Sequence, residues 1–161
     1  MTLDEQILRF ARTRGHDARA ERAAAVLSRL GEHGGIWIAL GVAGALLDDR
    51  ERRAGWLRGV AIVGGTYAAN TALKLVVRRR RPQLPGLPPL VATPTQLSFP
   101  SAHTATSFAG ARRYSRMGLP AAPLYALAGT LALSRLYLGV HYPSDVLAGA
   151  LLGSAIAAAV P

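Results

Sequence analysis

Leu57-Arg-Gly-Val-Ala-Ile-Val-Gly-Gly-Thr-Tyr-Ala-Ala-Asn-Thr-Ala-Leu-Lys-Leu-Val-Val77 is the stretch on which the fold turns. Its charges are Arg58 near the start and Lys74 near the end. A membrane-spanning helix needs about 20 mostly apolar residues, with a range of roughly 17 to 25, and this run supplies them. Working outward, 34–47 is uncharged and is closed by 48–53, six charged residues in a row. On the other side, 78–100 is a loop with five prolines between Pro82 and Pro94. Then come 101–111, closed by Arg112, Arg113 and Arg116; 120–140, apolar except for Arg135; and 143–160, apolar except for Asp145. The pattern predicts an all-α, polytopic membrane bundle of about five transmembrane helices. Residues 34–161 form the membrane-embedded domain and 1–33 an N-terminal arm.

The composition fits that expectation. The 161 residues suit one domain. Half are hydrophobic, yet 19 Lys+Arg face 9 Asp+Glu, a net charge of +10. Such charge usually marks a nucleic-acid binder, but here the cations sit in short clusters between long uncharged runs. Aromatic residues are 6% of the chain, too few for a base-stacking surface. Nucleic acid is therefore not an expected partner. With no cysteine there are no disulfides and no thiolate metal sites. Gly41, Gly44 and Ala45, and Gly149, Gly153 and Ala157, recur at helical spacing, which lets membrane helices approach closely.

The arm is charged throughout and has no apolar core of the kind a signal peptide carries. Leu3, Ile7, Leu8 and Ala11 recur at helical spacing, with Asp4 and Glu5 in the first turn. After Gly15-His16-Asp17 the pattern resumes at Ala20, Ala23, Leu27 and Leu30. Two short helices follow from this, lying on a membrane surface or standing as a solvated arm.

The polar residues inside the apolar runs point to function. A charge at bilayer depth costs about 2.5–3.5 kcal/mol on insertion scales, so Lys74, Arg135 and Asp145 need a reason. Three clusters supply one. Lys74 precedes Arg81-Pro82 by seven residues; Phe99-Pro100-Ser101-Ala102-His103 opens a helix; Ser134-Arg135 is followed by His141 and Asp145. With five alternating spans, all three clusters emerge on one membrane face. Two histidines, three cations, a hydroxyl and a carboxylate are the chemistry of a phosphate site. The cations balance a dianion, and the helix starting near Ser101 offers backbone N–H groups to its oxygens. One histidine can attack while the other protonates the leaving oxygen. His16 and His33 lack such company, and Arg78, Arg79 and Arg80 are expected to be headgroup anchors.

The trio Lys-x6-Arg-Pro, Pro-Ser-x-His and Ser-Arg-x5-His-x3-Asp resembles the signature of the type 2 phosphatidic acid phosphatase superfamily, which includes vanadium haloperoxidases. The resemblance covers about residues 57–160. It departs at Ala102, where the family usually has glycine, and in having two spans rather than three before the first motif. It implies a metal-independent phosphatase without a cofactor. His141 would be the nucleophile that forms a phosphohistidine, with Asp145 orienting it and His103 as general acid. Lys74, Arg81, Ser101, Ala102 and Arg135 would hold the phosphoryl group. The membrane spans speak against a haloperoxidase.

Two further stretches, 27–33 and 93–103, resemble a narrower group of small actinobacterial phosphatases proposed to act on decaprenylphosphoryl-5-phosphoribose. That reaction supplies the arabinose donor of cell-wall arabinan. The resemblance implies that Glu32 and His33 sit near the sugar. Polyprenyl diphosphate, phosphatidate or phosphatidylglycerophosphate phosphatase are open alternatives, as is a non-enzymatic protein that binds anionic lipids. Excluding the three site cations, nine arginines lie on the face of the arm and the site, against seven opposite. Together with a charged arm that is hard to translocate, this count favours a bacterial plasma-membrane protein whose site faces the cytoplasm.

Overall fold

A computed structural model describes residues 1–160, and among them the regular structure is helical, with no strand. Seven α-helices run α1 Leu3–Thr13, α2 Ala18–Leu30, α3 Gly35–Leu47, α4 Arg53–Val77, α5 Ala102–Ser115, α6 Ala121–Tyr137 and α7 Pro143–Ala159, with a 3-10 turn, Glu32–Gly34, between α2 and α3.

The apolar runs become α3 to α7, of which α3, α5, α6 and α7, with 13, 14, 17 and 17 residues, fall below the about 20 that a straight span needs. Of the single helices, α4 is long and apolar enough to cross a membrane; α2 and α3 meet that test as one pair bent by 48°. The bend falls where His33 and Gly34 both take positive φ, 54° and 75°, a backbone that no helix can continue. α5 has 14 residues, about 21 Å at 1.5 Å per residue. It is stopped by Ser101 with the preceding proline on one side and by Gly118 at φ 96° on the other.

α5 is the central helix, packed by α7, α4 and α6. Its residues 104–107 and 109–111 are buried, as are Arg113 and Tyr114. Those side chains are mostly Ala, Thr and Ser, and the hydroxyls close their own hydrogen bonds. Thr106 Oγ1 donates to the Ala102 carbonyl at 2.9 Å, and Ser107 Oγ accepts from Trp37 Nε1 at 3.0 Å. Small residues let neighbours in. A methyl at Gly110 would strike the Trp37 ring, one at Gly59 the Tyr114 ring, and one at Gly153 the Ala105 carbonyl. Outward faces are apolar: Leu73, Val76, Leu133, Leu147 and Leu151 are exposed, and just 28% of the most apolar window of α4 is buried. That pattern suits a hydrocarbon solvent rather than water.

The arm is neither free nor merely superficial. Thr2 and Glu5 form a capping box at the start of α1, and Asp17 caps α2. Leu8 is fully buried, while the Arg12 guanidinium donates to the Tyr137 and Pro88 carbonyls at 3.2 and 2.8 Å. The His16 ring stacks on Tyr137 at 3.9 Å. α1 thus grips the C-terminal end of α6 and the Pro-rich loop with one face. Leu3, Ile7 and Phe10 on its other face are exposed.

Candidate active site

The site gathers at the end of the bundle where α4 and α6 finish and α5 and α7 begin. On α4, Thr66, Asn70 and Lys74 are spaced four apart, so all three lie on one buried face. The Lys74 ammonium donates to the Leu97 and Ser98 carbonyls at 3.2 and 3.1 Å. Beyond α4 the chain turns at Arg78, φ 54°, and pairs with the loop ahead of α5: Arg81 N–H donates to the Gln96 carbonyl and Ser98 N–H to that of Arg79. This short antiparallel contact aims Arg81 inward. Its Nε donates to the Thr95 carbonyl at 2.8 Å and its Nη1 to the Val140 carbonyl at 2.7 Å.

Arg81 Nη1 also lies 3.2 Å from His141 Nε2. A guanidinium has no lone pair to accept with, so Nε2 must be the acceptor and the ring proton sits on Nδ1. Nδ1 faces Asp145 Oδ2 at 3.5 Å. Asp145 is fully buried in the first turn of α7; its Oδ2 accepts the Tyr142 N–H at 2.8 Å and its Oδ1 the Arg79 Nη1 at 2.9 Å. Burial, reinforced by the charges of Arg81, Arg135 and Lys74, holds the His141 imidazole well below the ordinary histidine range. It is a neutral ring with its Nε2 lone pair toward the cations. Burial likewise draws the Arg81 guanidinium down to about 10, which leaves it charged at neutral pH.

A cavity of about 520 Å³ opens on these groups, lined among others by Lys74, Arg81, Ala102, His103, Arg135 and His141. Arg135, 3% exposed, is held by Ser28 Oγ. His103 Nε2 donates to the Ser28 carbonyl at 2.9 Å. Both contacts come from α2, so the arm supplies a wall of the cavity, together with Arg29, Glu32 and His33.

Two expectations need correcting. Ser101 does not face the cavity. It is fully buried, its N–H is given to the Asp145 carbonyl at 3.0 Å, and its Oγ accepts from Thr104 at 3.1 Å. The loop must tie to α7 there before α5 can begin. The first-turn N–H groups of Ala102, His103 and Thr104 have no helical acceptor behind them, and of these residues Ala102 and His103 line the cavity. Arg79 is the second correction. It is not a headgroup anchor but is wedged between Asp145 and Asp4, with its guanidinium over the Tyr142 ring at 4.0 Å. Arg78 and Arg80 remain exposed. Ala102, where the signature usually has glycine, starts α5 with ordinary negative φ, so its methyl adds no backbone strain.

The PAP2 superfamily profile matches residues 55–161. The chain belongs to the PAP2 superfamily. It is a helical membrane phosphatase. Among PAP2 relatives it is 47% identical over 130 residues, 78% of this chain and 69% of the relative, to decaprenylphosphoryl-5-phosphoribose phosphatase of Mycolicibacterium smegmatis. It is 44% identical over 135 residues, 83% of this chain and 75% of the relative, to the protein of the same name from Mycobacterium tuberculosis. Among solved structures, Aquifex aeolicus LpxE superposes with a TM-score of 0.77 at 23% identity, covering 99% of this chain and 94% of that one. A transmembrane PAP2 type phosphatidylglycerolphosphate phosphatase from Bacillus subtilis gives 0.76 at 25% identity, covering 98% and 82%.

The motif residues were legible in sequence. Arg79 and Ser28 were not. The one stood inside a run of four arginines, and the other carried no signal beyond its place among 27–33.

Proposed function

We propose that the chain removes phosphate from decaprenylphosphoryl-5-phosphoribose through a phosphohistidine on His141, without a metal. One observation carries the mechanism: His141 Nε2 lies with its lone pair beside Arg81 in a cavity ringed by Lys74, Arg81 and Arg135. The three cations hold the non-bridging oxygens, joined by the N–H groups of Ala102 and His103, and stabilise charge as it builds. Nε2 attacks phosphorus and the bond to the sugar oxygen breaks. The departing alkoxide takes a proton from His103, and Asp145 stabilises the positive charge on the His141 ring through Nδ1–H. With His103 Nε2 held on the Ser28 carbonyl, Nδ1 is the nitrogen that exchanges the proton. His103 then deprotonates a water, which attacks phosphorus, releases inorganic phosphate and restores His141.

The substrate reading is supported by 47% and 44% identity to phosphatases of that name. It also suits a cavity whose cationic floor is bordered by Glu32, His33, Tyr67 and Thr71, groups able to bond sugar hydroxyls. The exposed apolar face of α4 is where a prenyl chain would lie. In this reading α3 to α7 are five spans of a bacterial plasma membrane, residues 34–161 are the phosphatase domain, and the site opens to the cytoplasm. The arm of residues 1–33 rests on the headgroups by Leu3, Ile7 and Phe10.

Phosphate release from a panel of prenyl-phosphoribose, prenyl diphosphate, phosphatidate and phosphatidylglycerophosphate tests this, in detergent with a chelator present. Prenyl-phosphoribose should be cleaved fastest, and His141→Ala should be inert. A preference for phosphatidate would overturn the substrate, and turnover by His141→Ala would overturn the mechanism.

A further inference from the structure

The Asp145 carboxylate meets two cationic demands at once. Its Oδ2 accepts the Tyr142 N–H and lies 3.5 Å from His141 Nδ1, and its Oδ1 takes Nη1 of Arg79 at 2.9 Å. A guanidinium bound to a fully buried carboxylate neutralises it, leaving little charge to steady a histidine that becomes cationic on phosphorylation. Here the guanidinium is itself shared. Arg79 Nη2 binds Asp4 Oδ2 at 2.8 Å. Asp4 Oδ1 accepts the Ser144 N–H at 2.9 Å. The Ser144 hydroxyl bridges the two, accepting from Arg79 Nη1 at 2.6 Å and donating to Asp4 Oδ2. Asp4–Arg79–Asp145 is therefore a chain of two negative charges and one positive, with a net charge of −1. The Arg79 guanidinium carbon lies over the Tyr142 ring, 4.0 Å from its centroid. None of Asp4, Arg79 or Ser144 belongs to the three signature clusters, and Asp4 arrives from the far end of the sequence on α1.

We propose that Asp4 and Arg79 are positioning residues for the phosphatase reaction. Arg79 aims the Asp145 carboxylate at His141 Nδ1, and Asp4 offsets the Arg79 charge so that Asp145 keeps one negative charge for the phosphohistidine. The docked α1 helix is thereby part of the catalytic apparatus. This rests on His141 being the nucleophile.

The test is steady-state and rapid-quench kinetics on the full-length protein in detergent, with a short-chain prenyl phosphate. Asp4→Asn removes the offsetting charge at nearly constant shape. It should lower kcat about tenfold, a barrier change of about 1.4 kcal/mol, with KM within about twofold. Labelled phosphohistidine should form correspondingly more slowly, and Asp4→Glu should recover most of the rate. Should Asp4→Asn fail to fold, Arg79→Lys, which keeps the charge but loses the fork, should show the same loss in kcat at constant KM. In either folded variant the His141 Nδ1–H resonance should move upfield, a change independent of turnover. Unchanged kcat, an equal loss in Asp4→Glu, a rise confined to KM, or an unmoved resonance would each overturn the proposal. Turnover that survives His141→Ala would instead remove the reading beneath it.

Discussion

His103 gives its Nε2 proton to the Ser28 carbonyl at 2.9 Å, so a residue of the second motif is oriented by a backbone atom of the arm. This couples His103, the proposed acid, to the position of α2. Gly31 stands at the contact: a methyl there would lie 3.0 Å from His103 Cδ2 and 3.0 Å from Leu131 Cδ2. Gly31→Val should push the ring off its line and lower kcat by about tenfold, given how steeply rates fall with misplacement. Steady-state assays together with a melting curve check this; a loss of stability with intact kcat would contradict it.

Ser28 also holds Arg135 through its hydroxyl. Ser28→Ala deletes that contact and leaves the carbonyl on His103. A hydrogen bond to a charged group contributes about 1.5–3 kcal/mol, and substrate phosphate replaces part of that role. KM should rise about fivefold, equal to about 1 kcal/mol, while kcat stays within about twofold. Inhibition by inorganic phosphate should weaken in parallel.

Packing between α5 and α7 makes a sharper stability prediction. A methyl at Gly153 would overlap the Ala105 carbonyl, a backbone atom unable to rotate away. Gly153→Val should destabilise the bundle by about 3 kcal/mol, the upper end of overpacking costs. At Gly129 an added methyl would meet nothing within 4 Å. Gly129→Ala should be neutral or stabilise by up to about 1 kcal/mol through helix propensity. Thermal unfolding in detergent distinguishes the two.

Acid should release the arm. Partial burial alone would raise the Asp4 carboxyl, but its hydrogen bonds from Arg79 and Ser144 outweigh this and hold it below the ordinary 3.8. A depressed carboxyl stabilises docking fully above the undocked value and progressively less as pH falls through the docked one. Hydrogen exchange of the α1 amides should therefore speed up, after correction for intrinsic rates, as pH drops below about 3.8. In Asp4→Asn that step should vanish, leaving α1 equally loose above and below it.

The apolar runs and the three signature clusters carried the fold class and the gathering of Lys74, Arg81, His103, Arg135, His141 and Asp145. Each is a local pattern, readable wherever helix period and spacing decide geometry. What local pattern could not reveal depends on long-range docking. Arg79 looks like Arg78 and Arg80 until Asp4 is brought beside it from α1. Ser101 looks like a phosphate ligand until its N–H is seen on the Asp145 carbonyl. The arm reads equally as surface-bound or solvated because its buried contacts, Leu8 and Arg12, meet partners more than 70 residues away in the case of Arg12. The runs 57–77 and 101–111 read shorter than α4 and α5 because a charged residue ends an apolar run without ending a helix, as at Arg53 and at Arg112 and Arg113.

At Gly153 the α7 backbone rests directly on that of α5. His103 rides on the first turn of α5, and His141 sits just ahead of α7. The spacing of the segments that carry His103 and His141, the proposed acid and nucleophile, is thus set by main chain packed on main chain. Those two groups form the fixed jaw of the enzyme. Adaptation to a different headgroup is left to cavity-lining positions outside those contacts, such as Leu90, Val91 and Ala92 of the Pro-rich loop.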